Sequence, residues 1–239
     1  MWNGLWFLLL LLVPFAAFYW IVFLWWYRRF MKSSYRNATG NAFWKTLLDK
    51  GLYGEYLTYR ILEQFPGYKK LLANVYIPKD DENTTEIDVM MLSEAGVFVF
   101  ESKNYSGWIY GDEKSKMWTQ VLNRRTKIKF FNPIWQNKGH ISALQSVLSG
   151  CGIDSTLYCS YIIFSERCQL KTKLTTLPDV RLIKRDSLKN TLQKDFLDNP
   201  AVLARETVDA AYDLLVQYAR ADTTTKEKHL LSVKARQSG

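Results

Sequence analysis

An α/β domain whose mixed sheet is flanked by helices, carried behind a single transmembrane helix, is the architecture this sequence predicts, and three observations predict it. Residues 5–27 contain no charge. From residue 43 the hydrophobic period reads helix, strands, helix, strand, strand, helix, the order of an α/β or α+β domain. The 239 residues are 48% hydrophobic and 23% charged, which suffices to bury a core and excludes wholesale disorder.

The uncharged run is 23 residues long, and as a helix it would reach about 35 Å, enough for a bilayer. Its Leu, Ile, Val and Phe residues favour insertion by roughly 4 to 8 kcal/mol. Trp2 and Trp6 at one end, and Trp25, Trp26 and Tyr27 at the other, stand where aromatic belts form. A cleaved signal peptide would begin with basic residues and end on small ones; this chain begins Met-Trp-Asn-Gly and stays bulky. Arg28, Arg29, Lys32 and Arg36 follow the run, and residues 1–36 hold no acid. The positive-inside rule therefore puts residues 28–239 in the cytoplasm, with the basic cluster against anionic lipid headgroups. The expected organisation is an anchor at 1–27, a basic tether at 28–42, a folded domain at 43–222 and a disordered tail at 223–239.

Each element of the domain has its own signal. Leu47, Leu48, Leu52, Tyr56, Leu57, Tyr59, Ile61 and Leu62 recur at helical spacing within residues 43–65, and Pro66-Gly67 ends that helix. Residues 71–77, 85–92 and 96–102 read as strands, with weaker ones at 108–110, 118–122 and 127–131. Ser93-Glu94-Ala95-Gly96 is a hairpin turn. Asn132 caps and Pro133 opens a helix that runs to about residue 149, where Gly150 ends it. Residues 157–164 are a strand buried on both faces, 180–183 a last strand, and helices follow near 187–196 and 201–220.

Composition narrows the chemistry. The net charge is +9, but most of the excess sits in the first 36 residues and in the tail, so it does not by itself indicate a nucleic-acid partner. Cys151, Cys159 and Cys168 form no C-x-x-C pair and read as reduced core residues. With only His140 and His229, a site built on clustered imidazoles is excluded, and a metal here would rest on carboxylates.

Such carboxylates are present. Asp88 lies in one strand, and Glu101 and Lys103 end the next, in Phe-Glu-Ser-Lys-Asn. Period-two alternation sets Glu101 and Lys103 on one face. Paired as a hairpin, the two strands would bring Asp88 to Glu101 and form an oxygen site for Mg2+ or Mn2+. The same spacing occurs in solvated hairpins with a surface salt bridge. What favours a site is the apolar strand Val97-Phe98-Val99-Phe100 running straight into Glu101.

Five motifs together resemble the nuclease-related domain, NERD, across about residues 45–165. They are Gly-x-x-Gly-Glu at 51–55, Thr-Glu-Ile-Asp at 85–88, Gly-Val-Phe-Val-Phe-Glu-Ser-Lys-Asn-Tyr-Ser-Gly at 96–107, Trp-x-Gln at 118–120, and Asn-Pro-x-x-Gln-Asn-x-x-His at 132–140. The resemblance implies a restriction-endonuclease-like core of the PD-(D/E)xK superfamily, with Asp88, Glu101 and Lys103 as its signature. It further implies a metal on Asp88, Glu101 and the backbone oxygen of Ser102, assisted by Glu55, which alternatively is an ordinary exposed helical residue. Gln120, Gln136, Asn137 and His140 match family positions and would either hold strand ends or touch phosphate. Glu86 is expected to face away from Asp88 as a structural residue, and Ile87 stands where the superfamily often has proline. Lys114, Lys116, Arg124, Arg125, Lys127 and Lys129 make residues 112–129 locally basic; they would follow a nucleic-acid backbone or form a solvated hairpin face.

The expected function is a membrane-anchored, Mg2+- or Mn2+-dependent nuclease that hydrolyses phosphodiester bonds of DNA or RNA. Its alternative is a non-catalytic membrane adaptor that binds nucleic acid or protein through a nuclease-like fold.

Overall fold

The computed structural model describes residues 3–79, 84–123, 125–173, 177, 179–198 and 201–219, with side chains from Leu12 onward and that of Lys173 excepted. Arg124, His229, Trp2 and the tail at 223–239 lie outside the described residues.

The chain opens with α1 (Asn3–Met31), α2 (Tyr35–Thr39), α3 (Phe43–Leu48) and α4 (Lys50–Glu63). Strands β1 (Lys69–Pro78), β2 (Thr84–Ser93) and β3 (Gly96–Lys103) form a meander, followed by β4 (Gly107–Asp112), β5 (Met117–Leu122) and β6 (Thr126–Phe131). After α5 (Pro133–Val147) come β7 (Tyr158–Phe164), β8 (Cys168–Lys173) and β9 (Val180–Lys184), then α6 (Leu188–Asp198) and α7 (Arg205–Val216).

The strands build two mixed sheets, where the sequence predicted one. The larger has the order β1-β2-β3-β7-β9 and the smaller β6-β5-β4-β8. The seam between them is a shared step: β3 and β7 run parallel in the first sheet, and their continuations β4 and β8 run parallel in the second. The N–H of Ser165 donates to the Lys103 carbonyl at 3.1 Å across that step. Gly107, with φ +78, makes the turn; a Cβ there would stand 2.3 Å from the Val121 carbonyl oxygen. The alternating segment at β8 carries no apolar run long enough to mark it as a strand.

Helices cover both faces of the larger sheet. Val89, Met91, Phe98 and Phe100 pack against Tyr56, Tyr59 and Leu62 of α4 and Leu188 and Leu192 of α6. Met90, Leu92, Val97 and Val99 pack against Leu144 of α5 and Val208, Ala211 and Leu215 of α7. Continuous burial of Val97 through Phe100 follows, since both sides of β3 are covered.

Two expectations for the amino-terminal part are corrected, and a third finds no support. The helix over 43–65 is broken at Asp49, whose Oδ1 accepts the N–H groups of Gly51 and Leu52 at 2.8 and 3.0 Å and so caps a new helix, α4. The tether is folded: Tyr35 is fully buried, edge-on to Phe30, Tyr56 and Tyr59, and Ser33, Thr39 and Asn41 are buried with it. Finally, among the described residues no helix is long and apolar enough to cross a membrane. Of the expected span, residues 5–11 fall outside the described side chains, and the remainder holds Tyr19, Trp20, Trp25, Trp26 and Tyr27, whose polar ring atoms lower its hydropathy. Helix α1 docks by its last turns, with Phe23 on Phe43 and Trp44, Trp26 stacked on Tyr53, and Phe30 on Tyr56. Leu12, Val13, Phe15, Phe18 and Ile21 are exposed.

Candidate active site

Pairing between β2 and β3 closes at Ser93 and Gly96 and reaches Val89 and Phe100. Asp88 and Glu101 are the next pair in register, at the mouth of a fork where the ladder stops. Asp88 reaches over it, its Oδ2 accepting the Ser102 N–H at 3.0 Å.

The fork coincides with a slip in alternation. Ile87 packs on the same side as Met90 and Leu92, although it lies three residues from Met90. Opposite, Asn74 adopts φ +53, and Leu72 and Val75 show the same three-residue step. Backbone that leaves the extended region for one residue turns everything beyond it to the other face. Asp88 thereby sits between the two faces of the sheet. Glu86, two residues earlier, acts with Asp88 on the Glu55 side of the sheet, contrary to the expectation that it faces away. Its Oε1 accepts the Tyr76 hydroxyl at 2.7 Å, and its charge is the strongest one raising Glu55.

Charge is divided unequally across the site. Burial, then the charges of Glu86 and Glu101, push the half-buried Glu55 up to about 8. Burial, then Glu101 and Glu55, push Asp88 well above the usual carboxylate range, outweighing Lys103 and the Ser102 N–H. Burial would raise Glu101 too, but Lys103 and His140 hold it down to about 2. Lys103 Nζ stands 2.6 Å from Glu101 Oε1, and His140 Nε2 stands 3.1 Å from Oε2. Glu101 in turn holds Lys103 above its ordinary value against the lowering effect of burial. The result is an ionised Glu101–Lys103 pair beside two carboxyls whose burial favours the protonated form.

Helix α5 supplies the supports. Gln136 Oε1 accepts Lys103 Nζ at 3.2 Å. The ionised Glu101 can only accept, so His140 carries a proton on Nε2; its Nδ1 lies 2.8 Å from Thr85 Oγ1. Asn137 Nδ2 donates to the Val99 carbonyl at 2.9 Å and to Ser160 Oγ at 2.8 Å, pinning β3 to β7. Gln120 Nε2 donates to the Ser106 carbonyl at 2.8 Å, which fixes the loop after β3. Gln120 and Asn137 thus hold backbone at the strand ends, while Gln136 and His140 brace the Lys103 and Glu101 side chains; Gln120, Asn137 and His140 are buried.

On the opposite side α4 approaches closely because Gly54 lacks a side chain. A Cβ there would stand 2.6 Å from Asn104 Cβ, so the second glycine of Gly-x-x-Gly-Glu sets how near Glu55 comes. Thr58 Oγ1 lies 2.9 Å from Ser102 Oγ, a contact with no signal in the sequence, as with Tyr35, whose hydroxyl lies 3.5 Å from Glu55 Oε2. Of the basic residues, Lys127 and Lys129 line exposed β6, Arg125 is in the β5–β6 turn, and Lys114 and Lys116 precede β5.

Among the described residues no group of three or more His, Cys, Asp or Glu is placed to hold a metal ion. The donor chemistry nevertheless suits a hard divalent cation. Burial, then their acidic neighbours, disfavour the ionised forms of Asp88 and Glu55, and a 2+ charge among these oxygens would offset that cost.

A mixed α/β sheet ending in gathered carboxylates and an acid-paired lysine defines a protein of nuclease-related class, and the comparisons agree. Residues 50–165 match the nuclease-related domain, NERD, a span that contains every side chain of the fork. An uncharacterized protein of Bacillus anthracis, pXO1-01, is 33% identical over 183 residues, covering 76% of this chain and 82% of that protein. The chain belongs to the nuclease-related domain family. In structure it is similar to the small subunit of the heterodimeric restriction endonuclease R.BspD6I, over 77% of this chain and 89% of that one, with 13% identity and a TM-score of 0.30.

Proposed function

We propose that this protein is a divalent-metal-dependent nuclease, with a restriction-endonuclease-like core, that hydrolyses phosphodiester bonds of DNA or RNA. The observation that carries the reading is the meeting of Asp88, Glu101 and Lys103 at the β2–β3 fork. Asp88, Glu101 and the Ser102 carbonyl would hold Mg2+ or Mn2+. When bound, that ion supplies Lewis-acid polarisation of a phosphate and a water acidified toward neutrality. Lys103 keeps its proton and can offset charge that gathers on a phosphate. Gln136 fixes its ammonium group, and His140 positions Glu101. Glu55, at about 8, has the affinity for a proton that suits exchange with water near neutral pH.

Anchoring in a membrane is part of the same proposal. It is supported by the uncharged sequence of residues 5–27 and by the apolar side chains that α1 leaves exposed from Leu12 onward. Arg28, Arg29, Lys32 and Arg36 would meet anionic headgroups, with the nuclease-related domain in the cytoplasm.

One observation favours the adaptor reading instead: both oxygens of Glu101 are engaged, by Lys103 and by His140. The test is a panel of labelled single- and double-stranded DNA and RNA, incubated with the full chain in detergent with and without Mg2+ or Mn2+. Metal-dependent cleavage that disappears in Glu101→Gln and Lys103→Met supports the nuclease. Binding without cleavage supports the adaptor.

A further inference from the structure

The smaller sheet is covered on one face. Ile109, Trp118, Phe130, Cys168 and Leu170 turn toward the core they share with Ile134 and Phe164. Residues between them turn the other way. The register sets these in rows across all four strands: Lys129, Thr119, Tyr110 and Lys171 in one, and Lys127, Val121, Trp108 and Gln169 in the next. Phe131 and Met117 begin a third. Tyr110 and Phe131 are 41% and 37% exposed. Lys127, Lys129 and Lys171 are exposed, and none makes an ion pair among the described residues.

We infer that this open face is a platform for single-stranded nucleic acid, with bases stacked on Trp108 and Tyr110 and phosphates on the lysine rows. Trp108 and Tyr110 are two residues apart on one strand, so their Cα atoms stand about 7 Å apart and their side chains leave the same face. Aromatic side chains set among cations on a flat sheet suit unpaired bases, whose ring faces are free to stack. A duplex buries those faces, and binding through its backbone alone would draw on the lysines and leave the aromatics unused. Chain continuity keeps the platform near the fork, because β3 leads into β4. Lys103 and Trp108 are five residues apart and hence within about 18 Å. The inference rests on the nuclease reading and narrows its substrate to single strands and unpaired segments.

The test measures fluorescence anisotropy of a labelled single-stranded oligonucleotide and its duplex on the full chain in detergent, in an Asp88→Asn background that prevents cleavage. Single strands should bind more tightly than duplex. Tyr110→Ala should weaken that binding roughly tenfold or more. Lys127→Ala combined with Lys129→Ala should reduce the salt slope by about 1.4. Duplex binding as tight as single-strand binding, or unchanged affinity in these variants, would overturn the platform. So would variants that lose affinity for phosphatidylserine vesicles but not for the oligonucleotide, which would assign the face to a membrane surface. Metal-dependent cleavage that persists in Tyr110→Ala with KM unchanged removes the platform and leaves the nuclease standing. Failure of the wild-type chain to bind or cleave any nucleic acid removes both.

Discussion

Asp88 accepts a hydrogen bond from the backbone of Ser102 at 3.0 Å although the ladder between their strands closes one pair earlier. A side chain thus completes what the backbone leaves open, and it is the same side chain that carries the raised carboxyl. Asp88→Asn keeps an oxygen that can accept from Ser102 while removing a carboxyl that burial and its acidic neighbours Glu101 and Glu55 disfavour in its ionised form. Without metal, that variant should melt at or above the wild-type temperature, as thermal unfolding would show, and Asp88→Ala below it, because Ala leaves the Ser102 N–H without its partner.

The pH dependence of metal-free stability should carry the mark of Glu55. Its folded value of about 8 lies above the unfolded value of roughly 4.3. Such a group contributes stability that is fully present below the unfolded value and lost as pH rises through the folded one. Asp88 acts in the same direction. Glu101, held near 2, acts oppositely and loses its contribution only as pH falls toward that value. Melting temperature should therefore fall between pH 5 and pH 8. Glu55→Gln should flatten part of that fall, and a slope identical to wild type would refute the raised carboxyl.

Gly54→Ala should damage the site from outside it. The added Cβ would meet Asn104 Cβ at 2.6 Å, so α4 must move or the loop after β3 must yield. Overpacking of this kind costs about 1 to 3 kcal/mol. Denaturant unfolding should show that loss, and cleavage should fall along with it because Glu55 is carried away from Asp88.

Asn137→Ala separates support from chemistry. It leaves the Val99 carbonyl and Ser160 Oγ without their donor inside the core, at a cost of about 1 to 3 kcal/mol. Stability should fall while metal-dependent cleavage by the folded fraction keeps its pH profile. A shifted profile would give Asn137 a part in the reaction.

Much of this site could be read in the sequence, because it rests on short-range regularities. Val97-Phe98-Val99-Phe100 fixes β3, and the turn at 93–96 fixes its register with β2, so Asp88 and Glu101 follow. Asn132-Pro133 opens α5 as expected, Asn132 Oδ1 accepting the Ile134 N–H at 2.9 Å. The misreadings arise where a single residue interrupts a regularity. Asp49 lies within a helical period but its carboxylate serves as a cap. The slip at Asn74 and Asp88 reorients β2 without changing its composition. Tyr35 lies in a polar, small-residue stretch, and its burial depends on an aromatic cluster contributed by α1 and α4. Nothing local marks β4 as leaving the first sheet, since that depends on its partner β8, more than fifty residues on.

Binding of one divalent cation at the β2–β3 fork through Asp88 and Glu101 can be measured by counting bound Mn2+ from the loss of its free-ion paramagnetic resonance signal. One ion should bind per wild-type chain, be displaced by excess Mg2+ and be absent in Asp88→Asn. Wild-type protein that leaves the free-ion signal intact, or an Asp88→Asn chain that binds Mn2+ equally well, would contradict it.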